Sequence, residues 1–214
     1  MFARFMAKQF GNPSGLFGRL FLAPVWNRRN RAPNDCAFEN LDLRPDDRVL
    51  EVGFGGGYLM ERMSAAVADG FIAGVDHSPT MISFCAGRFR SLIHTRKMEL
   101  KLSSSDALPF PDAAFNKACS VNSIFYWQDA PKVFSEFYRV LRVGGKLVIV
   151  FTRRESLQGK KFSRHGLRLY TPYEVHRMMS AAGFRDIEEH LLSDWMREFW
   201  CVKAIRNQPA FTSK

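Results

Sequence analysis

Between Arg48 and Val67 the sequence changes its period. Arg48-Val-Leu-Glu-Val52 is a strand-sized apolar run, Gly53, Phe54, Gly55, Gly56 and Gly57 interrupt it, and Leu59, Met60, Met63, Ala66 and Val67 then recur at helical spacing until Gly70. Glycines at such a junction let the backbone turn tightly and approach a ligand, with the amides at the helix start offering hydrogen bonds. The pattern predicts the strand-turn-helix unit of an α/β protein that holds a nucleotide-like ligand.

The rest of the chain keeps alternating. Phe71 to Val75 reads as a second buried strand, and Ser78-Pro79 starts a helix, the hydroxyl capping it and the proline fixing its first turn. Met98 to Leu102 and Lys117 to Val121 are the next strands. A helix with Pro131 in its first turn then presents Val133, Phe134, Phe137, Val140 and Leu141 on one face, and Gly144-Gly145 ends it before the strand Lys146 to Phe151. Thr171-Pro-Tyr-Glu174 is a capping box, the helix it opens closes at Gly183, and Arg185 to Leu191 pairs antiparallel with Phe199 to Ile205. Alternating strands and helices imply right-handed crossovers and a sheet covered on both faces. The expected architecture is a three-layer, doubly wound α/β domain over residues 45–214, with a seven-stranded, mostly parallel sheet and an antiparallel last strand. Residues 1–44 are expected to form a helical cap or lid over the carboxyl edge of the sheet, where ligands of such folds bind.

A chain of 214 residues suits one core with trimmings, and no run approaches the ~18 apolar residues of a membrane span. Cys36, Cys85, Cys119 and Cys201 form no C-x-x-C, so neither a metal site nor a disulfide framework is expected, and a reducing, cytoplasmic setting is. The net charge of +10 attracts anionic partners. Part of it lies between Arg153 and Arg168, where Arg153, Arg154, Lys160, Lys161, Arg164 and Arg168 face one acid, Glu155. Met1 to Asn34 contains no acid at all, the bias of a transit peptide, but Ser14 is its sole serine and no cleavage pattern follows. Phe2, Phe5, Met6 and Phe10 instead fit one face of a helix that packs on the domain or touches a membrane interface.

The dinucleotide fingerprint G-x-G-x-x-G is met at Gly53 and Gly55 but places Tyr58 where a glycine should allow close helix-strand packing, which counts against NAD. No Gly-Lys-Ser/Thr follows, so a P-loop fails too. What fits is E-x-G-x-G-x-G, with Asp76 ending the next strand and Asp106 following the third. In VLEVGFGGG, GVDHSPTMI, SSSDALPFPDAAFNKA, VNSIFYW and FYRVLRVGGKLVIV, continued by AAGFRDIEE, the chain resembles class I S-adenosylmethionine-dependent methyltransferases of the ubiquinone/menaquinone C-methyltransferase branch (methyltransferase type 11). The segments stand in family order and spacing over residues 48–151.

The resemblance implies S-adenosyl-L-methionine as cofactor and S-adenosyl-L-homocysteine as its product. It also implies roles: Gly53, Phe54, Gly55 and Gly57 beside the methionine part, Glu51 holding the turn or reaching the amino group through water, and Asp76 accepting from the ribose hydroxyls. His77 and Met81 would border the adenine, Asp106 and the Ala107 amide would bind it, and Asn122 would sit near the sulfonium. Asn116 stands where the family usually has aspartate, a position expected to be structural.

A methyl sulfonium is already electrophilic, so such an enzyme mainly aligns an acceptor for in-line SN2 displacement, positioning being worth an effective molarity on the order of 10⁵ M or more. A general base is needed only if the acceptor must lose a proton. His165, Tyr126 and Tyr170 are the candidates, and Ile124-Phe-Tyr-Trp127 can wall a pocket for a flat or lipidic acceptor. The expected partner is a small molecule, anionic or lipidic, with nucleic acid less favoured because Ser120-Val-Asn-Ser123 is not the N/D-P-P-Y/F of base methylation. An RNA or other phosphate-bearing substrate, and a non-catalytic cofactor-binding protein, are the alternatives.

Overall fold

The computed structural model describes residues 28–158 and 167–208. Helix α1 (Arg31–Leu41) precedes β1 (Arg48–Val52), α2 (Tyr58–Ala66), β2 (Phe71–Asp76), α3 (Pro79–Arg88), α4 (Arg90–His94), β3 (Met98–Leu102) and β4 (Phe115–Val121). A 3₁₀ turn (Ile124–Tyr126), α5 (Ala130–Val140), β5 (Leu141–Thr152), α6 (Arg154–Leu157), α7 (Pro172–Ala181), β6 (Phe184–Ser193) and β7 (Glu198–Arg206) complete the order. The strands form one seven-stranded sheet in the order β3-β2-β1-β4-β5-β7-β6. All neighbours run parallel except β7, which is antiparallel to both β5 and β6. This is the doubly wound sheet with an antiparallel last strand that the alternation implies.

Two apolar layers flank it. Phe134 and Phe137 on the inner face of α5 are fully buried with Leu50, Ala118, Ile149 and Val202 from one face of the sheet, and α7 adds Val175 and Met179. Burying a phenylalanine of this kind is worth about 1.5–3 kcal/mol. On the opposite face, Leu59 and Met63 of α2 and Met81 and Cys85 of α3 pack on Val49, Ile72 and Val148.

Helix α1 joins this second layer. Cys36, Ala37 and Leu41 are buried beside Cys119, Val148 and Cys201, and Asp35 accepts from Tyr58 Oη at 3.0 Å and pairs with Arg62. The helix therefore lies on a face of the sheet, driven there by its apolar stripe, and only the residues at its start reach the carboxyl edge. Phe2, Phe5, Met6 and Phe10 lie outside the described residues.

One boundary differs from the sequence reading. The helix before the fifth strand stops at Val140, and Leu141 already pairs with Phe115, so Gly144 and Gly145 fall inside the strand, Gly144 at φ +77°, where the register with β4 shifts. Leu141 is buried because its strand-like backbone turns the side chain into the core, a choice made by packing rather than by helical spacing. Asn116 is structural as expected: its Oδ1 accepts from the Arg48 amide at 2.7 Å and its Nδ2 donates to Asp47, tying β4 to the start of β1.

Candidate active site

Strand order reverses between β1 and β4, since β2 and β3 lie to one side of β1 and β5 and β7 to the other. The crevice at the carboxyl ends of such a switch point is the ligand site of open α/β sheets. A cavity of about 430 Å³ opens there, and residues following β1, β2, β3, β4 and β5 all contribute to its wall.

On the β1–β2 side the wall is the glycine turn. Gly53 sits at φ +80° and a Cβ there would lie 2.5 Å from Cβ of Ser123, so conformation and close approach both require glycine. The Gly55 amide donates to Asp76 Oδ2 at 3.0 Å and the Ser78 amide to Asp76 Oδ1 at 2.9 Å, so the acid ending β2 clamps the turn after β1 while keeping acceptor capacity towards the cavity. Ser78 caps α3 by accepting from the Met81 amide, which presents Met81 to the cavity with His77 alongside.

Glu51 is buried, and its Oε2 has no hydrogen-bond partner among the described residues. Desolvation first, and the neighbouring Asp76 carboxylate second, push its pKa up to about 8. Burial raises Asp76 as well, against the two amides that favour its ionised form. A pair of carboxyl groups held this way at a glycine turn is a receptor for a cation and for hydroxyl donors.

Beyond Asn122 the wall changes character. Asn122, at φ 53°, accepts from the Thr152 amide at 2.8 Å and from its hydroxyl at 3.0 Å, and donates to Asn30 Oδ1 at 3.1 Å. Phe125, Tyr126, Trp127, Leu157 and Leu167 line this half, with Arg29, Asn34, Gln128 and Arg197. Burial holds the Tyr126 phenol well above its ordinary pKa, so it is a donor rather than a base.

Of the residues singled out from sequence, Glu51, Gly53, Phe54, Gly55, Asp76, His77, Met81, Asn122 and Tyr126 line this cavity together. Gly57 lies one position further, at the N-cap of α2, with its amide donating to the Phe54 carbonyl. Asp106 and Ala107 stand at the rim outside that lining: Asp106 accepts from Ser104 and pairs with Lys132 at 3.7 Å, and the Ala107 amide donates to the Ser104 carbonyl, while Ser103, Ser104 and Ser105 face the cavity. Tyr170 packs against the α5–α7 layer instead. His165 lies outside the described residues. The sequence reading missed Asn30, Thr152 and Arg197, which sit in no local motif and meet only through the fold.

The model of the methyltransferase domain family matches residues 50–149. The uncharacterized methyltransferase YdaC of Bacillus subtilis is 31% identical over 160 residues, which cover 74% of this chain and 83% of that one. The chain belongs to the methyltransferase family. Phosphoethanolamine N-methyltransferase 1 of Arabidopsis thaliana is 30% identical over 70% of this methyltransferase but only 31% of its own length, so the chain spans about a third of that relative. The ubiquinone/menaquinone biosynthesis C-methyltransferase UbiE of Geobacter sp. is 28% identical over 71% of this chain and 76% of that one. Among solved structures, a SAM-dependent methyltransferase from Aquifex aeolicus superposes with a TM-score of 0.68 at 17% identity over 94% of this chain and 97% of that one. A geranyl diphosphate methyltransferase in complex with GPP and sinefungin gives 0.68 at 19% identity over 84% and 78%. The cofactor is S-adenosylmethionine, and the unpartnered Glu51 oxygen and the glycine cradle under Ser123 fit it.

Proposed function

We propose that this methyltransferase transfers the methyl group to a small-molecule acceptor, aromatic, quinone-like or lipidic, held in the half of the cavity walled by Phe125, Tyr126 and Trp127. The observation that carries this reading is the continuity of one 430 Å³ cavity from the Glu51–Asp76 pair to that aromatic wall. When bound, S-adenosylmethionine supplies an electrophilic methyl group on a sulfonium. The chain's own work is to hold and align: Asp76 accepts from the ribose diol, Glu51 answers the ammonium, and Asn122 stands between the two halves. The aromatic wall excludes water, and Tyr126 donates a hydrogen bond that orients the acceptor. His77 and Met81 border the adenine, with Asp106 and Ala107 approaching from the rim.

The nucleic-acid reading asks for an open basic groove continuous with Arg153 and Arg154. Both are instead paired: Arg153 with Glu155 at 2.8 Å and Glu198 at 2.7 Å, Arg154 with Glu174 at 2.9 Å, and neither lines the cavity. Lys160, Lys161 and Arg164 lie outside the described residues. No described helix is long and apolar enough to cross a membrane. All four cysteines are buried and unbridged, which suits a reducing, cytoplasmic setting. The relatives named for phosphoethanolamine and quinone methylation support a small acceptor.

The test is incubation of the protein and cell extract with methyl-labelled S-adenosylmethionine, followed by sorting the label into lipid, small-molecule, RNA and protein fractions. Label in the lipid or small-molecule fraction is expected. Label confined to RNA or protein overturns the proposal.

A further inference from the structure

Arg197 is the one guanidinium of the β6–β7 turn, and its place is built. Asp194 Oδ1 accepts from the Met196 amide at 2.7 Å and from the Arg197 amide at 2.9 Å, closing the turn so that Arg197 is delivered into the cavity wall. Its Nη2 donates to the Arg29 carbonyl at 2.6 Å and to Asn30 Oδ1 at 2.7 Å, both neutral oxygens. Its Nε is buried with no partner among the described residues. Arg154 and Arg206 also bury an unpartnered Nε, but neither lines this cavity.

Little nearby offsets that charge. Arg29, in the same wall, adds a second positive charge; Glu198, the next residue, pairs with Arg153 at 2.7 Å, and Asp194 spends an oxygen on backbone amides. Residues 1–27, 159–166 and 209–214 contain no Asp or Glu, so no side-chain carboxylate from the remainder of the chain can neutralise the pair. A half-buried cation whose Nε is desolvated and unsatisfied costs free energy unless an anion arrives. A planar guanidinium is matched to carboxylate and phosphate oxygens.

Position decides which anion. Strand β7 pairs with β5 at the Thr152–Phe199 level, so Arg197 stands past the carboxyl end of the sheet, across β4 and β5 from the glycine turn after β1. At ~4.8 Å per strand that offset is roughly 14 Å, with Asn122 in between. The carboxyl pair of Glu51 and Asp76 is at one end of the cavity and the guanidinium pair at the other.

We propose that Arg197, with Arg29 beside it, receives an oxyanion group, carboxylate or phosphate, of the methyl acceptor. The acceptor then spans the cavity with its anion at Arg197 and its reacting atom towards Asn122. This rests on the proposed small-molecule function, and the residue selects which small molecules enter in a productive pose.

The test titrates protein saturated with S-adenosylhomocysteine with benzoate and, separately, with inorganic phosphate at matched ionic strength, with chloride as reference, by calorimetry. Saturable binding of either anion is expected, at least tenfold weaker in Arg197→Gln and intermediate in Arg197→Lys, with S-adenosylhomocysteine affinity in both variants within twofold of the wild type. Benzoate alone identifies a carboxylate acceptor, phosphate alone a phosphorylated one. Wild-type protein that binds the cofactor product yet neither anion above chloride overturns the assignment and leaves the proposed function standing. Cofactor-product affinity falling with the charge, while the melting curve is unchanged, overturns it too and places Arg197 on the methionyl carboxylate. If Arg197→Gln does not fold, the wild-type titration and Arg197→Lys still decide. Failure of the wild type to bind S-adenosylhomocysteine at all sinks the proposed function instead.

Discussion

The two halves of the cavity are built in opposite ways. The half next to β1 and β2 is local: Glu51, Gly53, Gly55 and Asp76 lie close in sequence, the Gly53 amide donates to the Val75 carbonyl and the Gly55 amide to Asp76. The half beyond Asn122 is assembled from the start of α1, the turn after β4, the end of β5 and the β6–β7 turn, segments joined by a few side-chain contacts such as Asn122 to Asn30 and Arg197 to Asn30. A half fixed by adjacent residues can be shared by many acceptors. A half made of distant loops can change its ligand without disturbing the first.

Damage on the first side should weaken cofactor binding whatever the acceptor. Asp76→Ala removes the proposed ribose acceptor and orphans the Gly55 and Ser78 amides, so affinity for S-adenosylhomocysteine should fall by about 1.5–3 kcal/mol, the range for hydrogen bonds to charged groups. Calorimetry reads it directly, and unchanged affinity breaks the comparison at its first half.

Glu51 sharpens the same half through pH. A carboxyl held near pKa 8 is neutral at pH 7, and pairing with a cation favours its ionised form, so its pKa drops on binding. Binding at pH 7 should therefore release a proton, and affinity should rise between pH 6 and pH 8. Calorimetry in buffers of different ionisation enthalpy counts that proton, and Glu51→Gln should erase both the release and the pH dependence.

The acceptor half should respond the other way round. Tyr126→Phe removes a donor and leaves the aromatic wall, so turnover of the acceptor found by label sorting should fall about tenfold, the worth of one hydrogen bond of roughly 1–1.5 kcal/mol. Affinity for S-adenosylhomocysteine should stay put. A variant that loses both would merge the halves.

The same contrast explains what the sequence made legible. Strand-turn-helix periodicity is a local property, and so are a capping box at Thr171 and an acid at the end of a strand; these place the sheet, the glycine turn and Asp76. Asp106 and Ala107 come from family spacing; in the fold they stand outside the cavity lining, with Asp106 bonded to Ser104 and 3.7 Å from Lys132 on α5, a contact with no signature in the order of residues. Arg197 is invisible for the same reason. Its place in the cavity wall depends on an antiparallel strand bringing a turn back to an edge whose other residues lie far away in the chain.

Tyr58 gives the smallest effect and the most direct check on where the halves join. At the sequence level it is the residue that spoils a dinucleotide fingerprint, and in the fold its hydroxyl donates to Asp35 and so fastens α1 to the helix that follows the glycine turn. Burial and that carboxylate raise the phenol's pKa, keeping it a donor. Arg62 also holds Asp35, so Tyr58→Phe should cost only about 0.5–1.5 kcal/mol of stability, one neutral-to-charged hydrogen bond partly replaced by its neighbour. Denaturant unfolding measures that loss, and a double-mutant cycle with Asp35→Asn isolates the pair. Helix α1 carries Asn34 and follows directly on Asn30, both in the wall of the acceptor half, so loosening it should weaken benzoate or phosphate binding more than S-adenosylhomocysteine binding. Equal losses would mean that α1 braces the glycine turn as much as the acceptor wall, and that the two halves are one unit.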